Sequence, residues 1–204
     1  MKIQIIGGGS FGTFLKQLLE QSFEIVEEAN SVILAVPISA YDEVSRKNSG
    51  KHLINVCSVQ KPSTDICLKH SECVTSIHPL FGRRTPENKR NSILTYKFTT
   101  DNDTWLSQSD TETEFLKTFS NVSSIIEKNT DGKHFTPETH DILMAKTHAA
   151  ALLTAKQLKV YVDRAKDIPD NLIPNSFRLL REFVQTLDDM PQGTVESILA
   201  NPYV

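Results

Sequence analysis

Cysteine is scarce in this chain, and its spacing excludes two common uses. Cys57, Cys67 and Cys73 are an odd set with no Cys-x-x-Cys pair. That argues against a disulfide framework or a zinc ribbon and fits reduced thiols in a cytoplasmic protein. Cys57 and Cys73 fall in apolar runs, which predicts burial. Long apolar stretches are also missing: none approaches the roughly 18 residues that mark a membrane span. No leader pattern opens the sequence, because a strand-like run starts at Lys2. Excess charge of one sign is lacking too. The 22 Lys and Arg stand against 25 Asp and Glu, a net charge of −3. This excludes the strongly basic footprint of a nucleic-acid or anionic-membrane surface. There are no internal repeats, no low-complexity tracts and no spacing that predicts a metal site. What remains is a 204-residue chain, long enough for one good core, or one domain with a helical appendage.

Apolar runs and helical patterns alternate through the first two thirds. Lys2–Ile6, Phe23–Val26, Ser31–Val36, His52–Val56, Val74–Ile77, Ser92–Thr99 and Val122–Ile126 read as strands. Ser10–Gln21, Ser39–Arg46, Ser63–Lys69 and Glu112–Phe119 read as helices, with Asp101–Thr113 as a surface loop. This alternation predicts an α/β fold with a Rossmann-type, mostly parallel sheet. The pattern then becomes all-helical. Thr136-Pro137-Glu138 supplies a cap, a first-turn proline and an acid at the positive end of a helix, predicted to run to about Arg164. Two more helices follow, Asn175–Leu187 and Gln192–Leu199. With the boundary near Gly132–Phe135, residues 1–133 form a dinucleotide-binding domain and 134–204 a small all-helical C-terminal domain.

Gly7-x-Gly9-x-x-Gly12 follows the first strand and opens the first helix. In such a loop the first glycine makes the turn, the second admits a pyrophosphate, and the third lets helix and strand pack closely. The expected cofactor is NAD or NADP, held by Gly7, Gly9, Ser10, Phe11 and Gly12, with Ser10 as helix cap and Val36-Pro37 closing the third strand. An acid for the adenosine ribose belongs at the end of the second strand. Glu27, beside Glu28, is the candidate, although only four residues separate Val26 from Ser31. A solvated turn is the plainer reading of these two acids.

His78-Pro79-Leu80-Phe81-Gly82 ends the strand that begins near Cys73. A titratable imidazole at a strand end, followed by a residue with fixed φ, suits general base chemistry. His140, Met144 and His148 recur at i, i+4 and i+8. Two turns separate the histidines by about 12 Å, too far to share a metal. They are read as one face lining an interdomain cleft, with packed interface histidines as the alternative. Arg83 and Arg84 follow the histidine block and could hold a carboxylate or a phosphate.

Five blocks together carry a family resemblance. They are Ile5-Ile6-Gly7-Gly8-Gly9-Ser10-Phe11-Gly12, Val32-Ile33-Leu34-Ala35-Val36-Pro37, Asn55-Val56-Cys57-Ser58-Val59, His78-Pro79-Leu80-Phe81-Gly82 and His140-Asp141-x-x-Met144-Ala145. On these the chain resembles the prephenate and arogenate dehydrogenases of tyrosine biosynthesis. The resemblance implies oxidative decarboxylation of prephenate or arogenate, with His78 as base and Ser58 as its partner. It implies that His140 meets the substrate, and His148, where the family carries other polar residues, is a substrate-binding candidate only because it shares that helical face. It makes Lys61, Arg178 and Arg181 candidates for the substrate carboxylates, although Gln60 stands where the family lysine is usual. It also implies a homodimer through the helical domain, where Ile142, Ala145, Ala149, Leu152 and Leu153 would be poorly covered in one copy. Two other readings stay open: a related reductase of an imine or hydroxy acid, and a non-catalytic cofactor-binding protein. Asn55, where relatives often carry aspartate, favours the latter.

Overall fold

The computed structural model describes residues 2–97 and 136–204. The expected loop over Asp101–Thr113, helix over Glu112–Phe119, strand over Val122–Ile126 and boundary near Gly132–Phe135 lie outside these residues. Among the described residues, six strands form one sheet in the order β2-β1-β3-β4-β5-β6. They are β1 (Lys2–Ile6), β2 (Glu24–Ile25), β3 (Ser31–Leu34), β4 (His52–Asn55), β5 (Val74–Pro79) and β6 (Ser92–Lys97). The first five run parallel, and β6 pairs antiparallel with β5. The chain moves outward from β1 to β2, then returns across β1 to β3. A topological switch therefore falls between β1 and β3, where the carboxyl ends of strands leave a crevice for ligands.

The central strands are buried on both faces, which is why they read as unbroken apolar runs rather than alternating ones. Successive side chains point to opposite faces. Ile3, Ile33, Ile54 and Ile77 meet Phe14, Leu15 and Leu19 of α1 (Ser10–Leu19) on one face. Val32, Leu34, Leu53 and Val74 meet Tyr41 and Cys67 on the other. These last two come from α2 (Tyr41–Lys47) and α3 (Lys61–His70). Ser10 is the first helical residue rather than the cap. Gly9 takes the cap position, with no side-chain cap bond.

One buried polar cluster ties the second face together. The Tyr41 hydroxyl donates to Leu34 O at 2.9 Å and to Asn55 Oδ1 at 2.8 Å. The Asn55 amide donates to Ser63 at 2.8 Å and Ser76 at 3.2 Å, and Cys57 N donates to Asn55 Oδ1 at 2.9 Å. Asn55 thus has both a donor and an acceptor engaged, a combination a carboxylate could not supply.

The C-terminal part contains α4 (Pro137–Met144), a π-helical segment Ala145–Ala149, α5 (Ala150–Arg164), α6 (Asn175–Asp188) and α7 (Gln192–Leu199). Thr136 caps α4 in a capping box with Thr139. Instead of one uninterrupted α-helix from Pro137 to Arg164, the backbone widens for a turn at Ala145–Ala149. Ala149 and Leu152 pack on Ile198 in a small second core. Leu153, Val160, Tyr161, Leu179 and Phe183 stay exposed. Among the described residues, no helix is long and apolar enough to cross a membrane.

Tyr41→Phe removes the donor of two buried hydrogen bonds. It should lower unfolding stability by about 1–3 kcal/mol, read by urea denaturation; an unchanged midpoint would show that the cluster contributes nothing.

Candidate functional site

The carboxyl ends of β1, β3, β4 and β5 place four sequence blocks on one edge of the sheet. The glycine loop follows β1, Ala35–Pro37 follows β3, Cys57-Ser58 follows β4, and His78 lies within the end of β5. The register pairs Asn55 of β4 with Ser76 of β5. Ser58 and His78 therefore lie three and two residues beyond a shared rung.

The three motif glycines have different surroundings. Gly7 has φ +135°, and a Cβ there would meet Ala35 O at 2.1 Å. A Cβ on Gly12 would meet Gly7 O at 2.1 Å. These two are required by the turn and by close packing. Around Gly9 a Cβ would meet nothing within 4 Å, and the same holds for Gly8. Open space therefore lies beside the first turn of α1, whose leading amides have no helical acceptor. That is the arrangement an anionic pyrophosphate requires. Ser10 is exposed and Phe11 half-buried, its ring 6.3 Å from Phe14. Val36 is half-buried against the second-face core. Pro37 lies against α7, where a Cβ on Gly193 would be 3.0 Å from its ring. Glu27 is exposed just beyond β2.

His78 is buried at the centre of a histidine cluster. Its Nδ1 is 2.8 Å from His140 Nε2, and the two rings stand edge to face at 5.0 Å. The His148 ring stacks on His78 at 6.4 Å and 19°. His140 precedes the π-helical segment and His148 lies within it, a local distortion frequent at functional sites. Both histidines thus reach one imidazole. His140 is completely buried, with its Nδ1 2.8 Å from Asp141 Oδ1. Its two ring nitrogens are both engaged within the protein.

Asp141, also completely buried, fastens α4 to the sheet. Its Oδ1 accepts from Gln60 N at 2.8 Å and its Oδ2 from Lys61 N at 2.7 Å. These amides open α3, where the helix dipole favours a negative charge. Gln60 is locked in turn: its amide donates to Cys57 O at 2.5 Å, and its Oε1 accepts from Thr95 at 2.6 Å. Thr95 is the surplus residue of a β-bulge, since Ser76 pairs with Tyr96 and Ile77 with Leu94. The bulge frees Thr95 from the ladder beside the strand that carries His78.

Of the other expected residues, Ser58 is half-buried and makes no side-chain hydrogen bond among the described residues. Lys61 reaches the site through its backbone amide, while its ammonium pairs with Asp65. Arg83 is exposed; Arg84 pairs with Asp189 at 3.4 Å. Arg178 donates to Asp170 O at 2.9 Å, and Arg181 to the Asp170 carboxylate at 3.0 Å. Their described bonds go to Asp170 rather than to the histidine cluster. No group of three or more His, Cys, Asp or Glu among the described residues is arranged to hold a metal.

Burial, with the neighbouring His140 and His148, holds the His78 pKa well below the ordinary histidine value. Burial and His140 lower that of His148. His78 is therefore neutral at neutral pH. The Cys57 and Cys67 thiols are pushed up to about 11 and about 12, mainly by burial, so both are protonated and inert. Cys73 is only partly buried.

Over nearly its whole length the chain superposes on solved dehydrogenase and reductase structures. A prephenate dehydrogenase from A. aeolicus, in complex with hydroxyphenyl propionate and NAD+, matches with TM-score 0.62 and 15% identity over 98% of this chain and 82% of that one. The fold is that of the prephenate and arogenate dehydrogenases. The Synechocystis arogenate dehydrogenase matches with TM-score 0.54 and 15% identity over 98% and 86% of the two chains. A Plasmodium falciparum pyrroline carboxylate reductase with NADP bound matches with TM-score 0.51 and 13% identity over 99% and 80%. No protein-family model matches the sequence, and no curated protein matches it by sequence. The shared dehydrogenase fold covers both the sheet and the helical part.

Two outcomes are expected. Gly12→Val should prevent stable folding, whereas Gly9→Val should leave the melting temperature within about 2 °C, since surface changes free of contacts cost little. Equal destabilisation in the two would contradict the open space at Gly9. Stability should also fall with acidification. His52, held down at about 4 by burial, binds its proton in the unfolded chain from about pH 6.5 downward but not in the folded one. The stability present above pH 6.5 is therefore lost toward pH 4, about 2 kcal/mol of it by pH 5. His78 and His148 act in the same direction. Urea midpoints at pH 7 and pH 5 measure this, and His52→Gln should flatten the slope.

Proposed function

We propose that this chain is a nicotinamide-dependent dehydrogenase that oxidatively decarboxylates prephenate or arogenate. The observation that carries the proposal is a buried, neutral His78 on the same sheet edge as a glycine loop with open space at Gly9. The fold shared with dehydrogenases of both substrates supports it, as do the five sequence blocks.

The cofactor is NAD or NADP, with its pyrophosphate beside Gly9, Ser10 and Phe11, against the amino end of α1. Gly7 and Gly12 shape that loop, Val36-Pro37 borders it, and Glu27 is the candidate for the ribose. When bound, the nicotinamide supplies the hydride acceptor. The protein's part is to place and polarise the substrate. His78 Nε2 takes the proton of the ring hydroxyl, Ser58 orients that hydroxyl, and His148 lines the same pocket. Arg83, next to the histidine block, is the candidate for a carboxylate. Lys61, Arg178 and Arg181 would have to leave their present partners to serve. His140 sits behind His78 instead of meeting substrate. The exposed side chains of α5 and α6 support a homodimer through the helical part. Light scattering should return twice the chain mass at micromolar concentration, and a monomer would remove that element.

Prephenate- or arogenate-dependent reduction of NAD or NADP tests the function directly. His78→Asn should lower turnover by about 10²–10⁴-fold, with cofactor affinity, followed by fluorescence titration, little changed. Unaltered turnover would take His78 out of the chemistry. Activity confined to a cyclic imine would favour the reductase reading, which the pyrroline carboxylate reductase likeness also supports. Cofactor binding without turnover on any of these substrates would favour the non-catalytic one.

A further inference from the structure

The Asp141–His140–His78 chain has a direction, fixed at one end. A carboxylate only accepts hydrogen bonds. Asp141 Oδ1 lies 2.8 Å from His140 Nδ1, so that nitrogen carries the proton. In neutral His140, Nε2 is then bare and accepts. It lies 2.8 Å from His78 Nδ1, which must therefore donate. His78 is left with a bare Nε2, the form a general base needs. Asp141 cannot turn away, because Gln60 N and Lys61 N hold its two oxygens at 2.8 and 2.7 Å.

We infer that Asp141 and His140 act as a proton relay for His78, so that the positive charge formed in the reaction comes to rest on His140. The inference rests on the reading of His78 as the base. The substrate's hydroxyl proton adds to His78 Nε2 as its O–H bond breaks. The His78 Nδ1–H bond breaks, and that proton adds to His140 Nε2. His140 keeps its Nδ1 proton toward Asp141. One proton enters and one moves on: His78 ends neutral, protonated at Nε2, and His140 ends as an imidazolium against a carboxylate.

The surroundings say why the charge should move. A cation held on His78 would be buried, with His140 and His148 as its titratable neighbours among the described residues. A cation on His140 lies within hydrogen-bond distance of Asp141, and a buried charge is tolerated when paired. Among the described residues, the other titratable groups facing Asp141 are the Cys57 thiol and the Tyr203 phenol, and the phenol is bonded to Glu138 at 2.9 Å. The Lys61 ammonium is turned to Asp65. His140 and Asp141 are thus positioning residues that act through His78.

Nitrogen-15 NMR of histidine-labelled whole protein at neutral pH reads the tautomer directly. His78 should carry its proton on Nδ1. A proton on Nε2 overturns the proposal, whatever the enzyme's substrate proves to be. His140→Gln keeps an oxygen acceptor near the position of Nε2 but takes no proton. It should leave the His78 tautomer and the substrate KM unchanged and lower kcat about 10²-fold or more, within the acid–base range. A kcat equal to wild type overturns the relay. Asp141→Asn should raise the share of His78 protonated on Nε2; an unchanged tautomer there also counts against the proposal. If the wild-type protein oxidises neither prephenate nor arogenate, the functional reading fails, and the spectrum still decides the direction of the chain.

Discussion

The carboxylate of Asp141 is the constraint on which the site depends. It accepts two backbone amides at the start of α3 and an imidazole N–H from its own helix. Its backbone carbonyl also accepts from Asn201 near the chain's end at 2.8 Å. A completely buried charge is costly unless paired or fully hydrogen-bonded, and here the compensation comes from both parts of the fold. The same contact sets the height and rotation of α4 on the sheet. Together with the Asn201 bond it holds His140 behind His78 and anchors the helix whose next turn carries His148.

Much of the sheet was legible because its strands are buried on both sides. Val32–Leu34 and Leu53–Ile54 show no alternation to confuse with a helix, and Pro37 and the glycine loop mark where strands stop. The boundaries were less legible. Val36 and Val56 continue the apolar runs but lie past the ladder, since hydrophobicity reports burial and not hydrogen bonding. Ser10 looked like a cap because serine often is one. The cap position went to Gly9, whose extended backbone, φ −72° and ψ 176°, already starts the helix.

The site was legible in its residues and not in its connections. His78 and His140 stand out in the sequence, but 62 residues separate them, and no spacing rule says they share a hydrogen bond. Asp141 was visible only as half of a His-Asp pair. Gln60 gave no hint that its amide and side chain brace the loop after β4. The π-helical turn has no composition of its own: Ala145-Lys146-Thr147-His148-Ala149 suits an ordinary helix.

The outermost parallel strand, β2, has a further consequence. It pairs with β1 over only two residues, Lys2 with Glu24 and Ile3 with Ile25. Exposed strand borders are templates for unwanted addition of other chains. This one offers almost no template. Two residues make a short ladder, and the charged pairs Lys2–Glu24 and Lys51–Glu28, with the exposed Glu27, lie around it. Among the described residues, the abbreviation that leaves the crevice without a longer second strand also leaves this margin of the sheet with little backbone for another chain to pair with.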